Sequence, residues 1–257
     1  MIKDIVAIDV HTHINHGSRF ESTPNSKYYN ATLEYLLEVN KSCNIGKMLC
    51  STFASVSRKS TEDIELENEY LLELSQKVDP LYQWVVINPR NDNTYKQAER
   101  MLKSKKCVGI KLQSESHHYR IEDYGDEIFS FANENSAIVL IHPEKGPDYI
   151  LPFADKYSNA TFVMAHMGTW GDDFEGNAIE FSKHNNIYLD TSGSASTQNR
   201  VVEEVVSRVG SERILFGTDT YAGGFQRGRI EYALISEKDK ENILRNNAEK
   251  LFEKNFK

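Results

Sequence analysis

IVAIDVHTHINHG, residues 5–17, decides how this chain is read. An apolar run is broken at Asp9 and ends in a crowd of histidines: His11, His13 and His16. Side chains alternate along a strand, so residues two apart point to one side. Ala7, Asp9, His11 and His13 are therefore expected to share a face, with both imidazoles able to reach one ion. His16 lies past the strand, in the polar stretch INHGSRFESTPNSKYYN, and cannot continue the alternation. For it, a substrate contact and a solvated loop residue stand as equal readings.

Working outward, strand-like runs recur: KMLCSTF (47–53), LYQWVVI (81–87), CVGIKL (107–112), SAIVLI (136–141), ATFVMA (160–165), NIYLDT (186–191) and RILFGT (213–218). Between them lie stretches such as ATLEYLLEVNKSC and QNRVVEEVVSRVG, with apolar residues at three- and four-residue spacing, the signature of amphipathic helices. A last helical stretch, EKDKENILRNNAEKLFEKNF, follows the eighth strand. Such alternation demands parallel strands with crossover helices. Eight strand–helix units in 257 residues match an α/β (β/α)8 TIM barrel. The competing open doubly wound sheet lacks support, because no glycine-rich phosphate loop follows any strand. No linker or low-complexity tract divides the chain, so residues 1–257 are expected to form one domain.

Composition narrows the function. A net charge of −8 argues against a nucleic-acid surface and leaves a small-molecule substrate. The cysteines Cys43, Cys50 and Cys107 are odd in number and widely spaced, which opposes a disulfide framework and fits a reducing compartment. The apolar run before His11 is too short for a signal peptide, and no stretch approaches the ~18 apolar residues of a membrane span. A cytoplasmic setting is expected, with no membrane partner; a homo-oligomer is compatible with the chain.

In a TIM barrel the active site sits at the C-terminal ends of the strands. The first strand ends in His11 and His13, the fifth in His142 (LIHP), the sixth in His166 (AHMG) and the eighth in Asp219 (FGTD). One strand-end histidine is usually an ordinary hydrogen-bonded surface residue. Chance gives no reason for so many metal-capable or acid–base residues to land on strand ends in this order.

At these motifs the chain resembles the amidohydrolase superfamily, specifically the amidohydrolase-related group that includes aminocarboxymuconate-semialdehyde decarboxylase. The likeness covers essentially the whole chain, through DVHTH, GIKL, LIHP, AHMG, ILFGTD and the closing RNNAEKLF. It implies that His11, His13, His142 and Asp219 hold one divalent metal, with His166 as the catalytic histidine and Asp219 as a proton acceptor. Such a donor set suits zinc, with manganese, cobalt or iron as alternatives. A metal lowers the pKa of bound water from ~15.7 to ~7.

Lys111 ends the fourth strand, where binuclear members of the superfamily carry a carbamylated lysine; here a charged pocket residue or ion-pair partner is expected. Two phosphoesterase-type families also begin with H-x-H but supply a glutamate near the end of the third strand, where this chain has Asn88. Candidate substrate contacts from the loops are Arg58, Lys111, His117, His118, Trp170 and Tyr221. The expected activity is hydrolysis of a small-molecule C–N or C–O acyl bond by metal-activated water. Non-oxidative decarboxylation of an unsaturated or aromatic acid is the alternative. Compactness favours hydrolysis: the longest excursions, 14–30 and 220–238, leave little room for an inserted substrate-enclosing domain, and enclosure matters for a carbanion-like state.

Overall fold

Eight parallel strands form one sheet whose spatial order is their chain order: β1 Ala7–Ile14, β2 Ile45–Thr52, β3 Leu81–Val86, β4 Cys107–Leu112, β5 Ile138–Ile141, β6 Thr161–Met164, β7 Ile187–Asp190 and β8 Ile214–Leu215. The structure is a computed structural model, and it describes residues 1–16, 32–57, 62–169, 171, 173–193, 197–220 and 222–257. Crossover helices join the strands: α1 Leu33–Ser42, α2 Glu62–Lys77, α3 Asp92–Met101, α4 Ile121–Glu134, α5 Leu151–Lys156, α6 Phe174–Ser182 and α7 Val201–Val209. Short polar side chains start several of them: Thr32 accepts from Tyr35 N–H at α1, and Asp173 from Gly176 N–H at α6. The result is the (β/α)8 barrel that the alternating pattern predicts. One helix, α8 Gly223–Glu231, was not expected; it occupies the stretch read as an excursion. Among the described residues no helix is long and apolar enough to cross a membrane.

The barrel interior is filled by Ile8, Val10, Leu49, Trp84, Val108, Leu140, Val163 and Leu215, and its N-terminal end is plugged by Phe252. Trp84 meets Phe252 edge-on at 5.7 Å and donates its indole N–H to Val10 O at 2.8 Å. A second apolar layer, containing Ile110, Ile141, Phe162, Leu189 and Phe216, lies between strands and helices.

Strict alternation fails on β1. Its register against β2 shifts between Asp9 and Thr12, and Ala7 packs outside the barrel while Ile8 and Val10 pack inside. A bulge re-aims the strand beyond it, so His11 and His13 share the site without sharing a face with Ala7 and Asp9. The register of β4 against β3 also shifts, before Lys111.

Asp9 instead holds the barrel shut. Its carboxylate accepts from His11 N–H (3.1 Å), Thr218 N–H (3.1 Å) and Thr218 Oγ1 (2.7 Å). Burial pushes its pKa up to about 8 against the pull of these bonds. Because β8 is so short, the β1–β8 seam is otherwise closed by single bonds: Val10 N–H to Phe216 O at 2.9 Å, and Thr218 and Asp219 N–H to His11 O at 3.0 and 2.7 Å. On the far side of β8, a π turn at Asn242–Asn246 lets Ile243 O accept from Phe216 N–H at 3.0 Å.

Candidate metal centre and active site

The seam brings His11, His13 and Asp219 together, with one donor atom from each lying within 4.8 Å of the others. Asp219 Oδ1 is 3.1 Å from His13 Nε2 and 3.6 Å from His11 Nε2. Asp219 and Thr220 both sit in the left-handed region (φ 53° and 68°), a cost of order 1–3 kcal/mol each that surrounding bonds must hold in place. Thr220 Oγ1 supplies part of that hold, accepting from His13 N–H at 2.8 Å and donating to His13 O at 3.0 Å.

Both histidines are oriented from behind. His11 Nδ1 lies 2.9 Å from Asp190 Oδ2, and His13 Nδ1 lies 2.9 Å from Ser51 Oγ. With a proton on each Nδ1, both Nε2 lone pairs turn toward Asp219, the arrangement metal-ligating histidines adopt. Burial, with the Lys111 charge adding to it, pushes His11 down to about 4, so the ring is neutral at pH 7. Asp219 is held well below the usual carboxylate range: burial pushes it up, but the electrostatic pull of the adjoining His13, His166 and His11 rings outweighs that. The neutral His11 ring beside an ionised carboxylate fits a divalent ion.

His166 and His142 form a second pair. His166 Nδ1–H donates to Ser192 O at 3.1 Å, which leaves Nε2 as acceptor, 3.2 Å from His142 Nδ1 and 4.0 Å from Asp219 Oδ2. His142 is not part of the three-residue group; its Nδ1 faces His166 Nε2. Burial first, then the His166 and Lys111 charges, push it down to about 2. The backbone is bent sharply here: His166 and Met167 have φ of 56° and 57°.

Lys111 Nζ reaches across the barrel to 3.2 Å from His11 Nε2. Burial pushes this ammonium down to about 8, against the opposing pull of Asp219 and Asp190, so it stays largely charged at pH 7. On the far wall His117 is buried, donating Nε2–H to Ser55 O at 2.9 Å, with no hydrogen-bond partner at Nδ1. Ser55 belongs to a one-turn helix whose Phe53 packs on the His13 ring at 5.6 Å. Asn88 Nδ2 and Ser114 Oγ are also buried without partners.

His118 is exposed at φ 55°, while His117 is buried. His16 lies 3.1 Å from Glu67 Oε1 and stacks on Tyr70 at 3.5 Å, pinning the end of β1 to α2. Arg58, Trp170 and Tyr221 lie outside the described residues.

Sequence reasoning missed Asp190 and Ser51. Asp190 is fully buried at the end of β7. The same test that found His142 and His166, a polar residue closing a strand, would have found it in NIYLDT. Burial raises its pKa, but the His11 charge and hydrogen bond outweigh that and hold it at about 2.

Known structures share this architecture. The 2,6-dihydroxybenzoate decarboxylase from Rhizobium superposes with a TM-score of 0.75 at 15% identity, over 96% of this chain and 98% of that one. The 5-carboxyvanillate decarboxylase from Novosphingobium aromaticivorans, complexed with manganese and a nitrobenzoic acid, gives 0.76 at 14% identity over 98% and 97%. An amidohydrolase from Burkholderia multivorans with bound HEPES gives 0.74 at 12% identity over 97% and 99%. At these identities the likeness speaks for the fold. No curated protein sequence matches the chain. The family model described as Amidohydrolase, however, matches residues 8–254, from β1 through the closing helices. With the barrel and strand-end residues in the expected order, the chain belongs to the amidohydrolase family.

Proposed function

We propose that the chain holds one divalent ion between His11, His13 and Asp219, with His142 as a further donor, and hydrolyses a C–N or C–O acyl bond in a small molecule. The observation that carries this reading is the position of Asp219. Its ionised carboxylate offers Oδ1 to the two β1 histidines and Oδ2 to His166. Held there, a divalent ion would supply an acidified water and polarise an acyl oxygen. Asp219 accepts a proton, and His166 Nε2 relays it toward the leaving group. The Lys111 ammonium draws in an anionic substrate, and His117 Nδ1, Ser114 Oγ and Asn88 Nδ2 offer polar contacts on the opposite wall. The donor set suits zinc, with manganese, cobalt and iron as alternatives. The thiols of Cys43, Cys50 and Cys107 are unpaired, which supports a reducing, cytoplasmic setting.

Decarboxylation of an aromatic acid is the second reading, favoured by the activity of the manganese-containing enzymes that share the fold. Their alignments cover nearly all of both chains, which removes compactness as an argument for hydrolysis. In that chemistry a proton carried on His166 Nε2 would go to carbon. Turnover of an acyl and aromatic-acid panel in ¹⁸O-labelled water separates the two. Label in the acid product supports hydrolysis; carbon dioxide release with solvent hydrogen on the product carbon would establish the decarboxylase.

A further inference from the structure

We infer that Asp190 is the positioning residue that fixes the tautomer of His11, and that it does so because its other oxygen is committed to His166 and Ser192. The inference rests on the proposed function only for the identity of the group that His11 faces. Asp190 Oδ1 accepts from His166 N–H (3.1 Å), Ser192 N–H (2.8 Å) and the Ser192 hydroxyl. Three donors converge on that atom, so only an oxygen can occupy its place. Oδ2 is left to face His11 Nδ1 at 2.9 Å. An ionised carboxylate is acceptor-only, which places the His11 proton on Nδ1 and the lone pair on Nε2, toward Asp219.

The same segment sets His166. Ser192 O takes the His166 Nδ1–H, and Ser192 Oγ lies 2.9 Å from His11 Nδ1 and 3.1 Å from His166 Nδ1. Gly193 at φ 75° closes the clamp: a Cβ there would come within 2.6 Å of His166 Nδ1. One carboxylate thus governs both a candidate ligand and the candidate acid–base group.

This predicts an inverted order of substitutions. In Asp190→Asn the three donors around Oδ1 keep the amide oxygen there and turn the NH2 group onto His11 Nδ1. Donor then meets donor, and the His11 proton moves to Nε2, displacing the Lys111 ammonium from that atom and blocking a cation; the carboxylate-to-amide change in the Ser-His-Asp triad acts through the same wrong tautomer. Asp190→Ala removes the partner but imposes no tautomer. A purely structural role gives the opposite order, because Asn keeps the shape and Ala leaves a hole.

The test uses the full chain, wild type, Asp190→Asn and Asp190→Ala, each checked for folding by circular dichroism. Zinc and manganese affinities are measured by chelator competition, and the His11 tautomer by ¹⁵N-detected imidazole spectra of the metal-free protein. We expect Asp190→Ala to weaken metal binding about tenfold and Asp190→Asn about a hundredfold, the two ends of the range for partners of ligating histidines. The spectra should show the His11 proton on Nδ1 in wild type and on Nε2 in Asp190→Asn. Asn binding metal as well as or better than Ala, or an unchanged His11 tautomer, overturns the inference. Should either variant fail to fold, the wild-type spectrum decides alone, a proton on His11 Nε2 being fatal. Failure of the proposed function shows separately, as a wild-type chain that binds neither metal.

Discussion

On the seam side of the barrel mouth, the nitrogens of His11, His13 and His166 all have partners: Asp190, Lys111, Ser51, Asp219, Ser192 and His142. On the opposite side Asn88 Nδ2, Ser114 Oγ and His117 Nδ1 are buried and unpartnered. Leaving a buried polar atom unsatisfied costs about 1–3 kcal/mol. On the first wall every ring is held in place by its neighbours. The second carries a standing cost that a ligand's polar groups could relieve. Rigidity and unsatisfied capacity are thus divided between two faces of one opening.

The division can be broken in graded steps. Replacing His11 and His13 together by Ala should have the largest effect. Metal content, measured by elemental analysis of protein purified without chelator, should fall from near one equivalent per chain to background, and activity with it. Full metal content in that variant would remove the saturated wall from the metal site.

Next comes His166→Asn, which should keep the metal and lower kcat by ~10²–10⁴-fold, the usual worth of a positioned acid–base group. Loss of metal alongside activity would move His166 into the ligand set. On the opposite wall, His117→Phe should raise KM about tenfold with kcat nearly unchanged, the pattern of lost uniform binding. A fall in kcat at constant KM would transfer His117 to the chemistry.

The smallest effect concerns the outer support of the seam. Glu203 on α7 pairs with Arg229 on α8 at 2.6 Å and accepts from Leu234 N–H at 3.0 Å. Burial pushes Glu203 up, but the Arg229 hydrogen bond and these other contacts outweigh it and hold the group at about 2, against an ordinary 4.5. A depressed folded-state pKa stabilises above the unfolded value and is lost as pH falls through the folded one. The pair's contribution, about 1 kcal/mol for a partly exposed site, should therefore be present above about pH 4.5 and vanish toward pH 2. Glu203→Gln should lower Tm at pH 7, with the gap to wild type closing over that window. A gap independent of pH would mean that packing, not charge, supplies the support.

Much of this was legible in the sequence, and the gaps have physical causes. The strand runs and amphipathic spacing give the barrel because parallel strands must be buried on both faces. His11, His13, His142, His166 and Asp219 stand out in the sequence as polar residues closing strands, and the structure brings donor atoms of His11, His13 and Asp219 within 4.8 Å of one another. The facing of Asp9 was misjudged because a bulge is set by tertiary register, which no local pattern records. β8 ends earlier than RILFGT suggests because Phe216 to Asp219 leave the ladder to bond Ile243, Asp9 and His11. α8 escaped notice because GGFQRGRIE carries three glycines and little apolar spacing. His117 and His118 are adjacent and identical in type; only the left-handed turn at His118 decides which faces inward.

The seam between β1 and β8 also dictates an order of events during synthesis. His11 and Asp9 leave the ribosome about 200 residues before Thr218 and Asp219, the partners they need. The carbonyl of Ile243 that steadies Phe216 comes later still. Contacts so distant along the chain form slowly, because the entropy of loop closure must be met before they repay it. A chain interrupted before residue 243 carries His11, His13, His142 and His166 but lacks the Ile243 carbonyl that Phe216 N–H bonds. The candidate centre therefore gains its outer support only after the segment around Ile243 has been added.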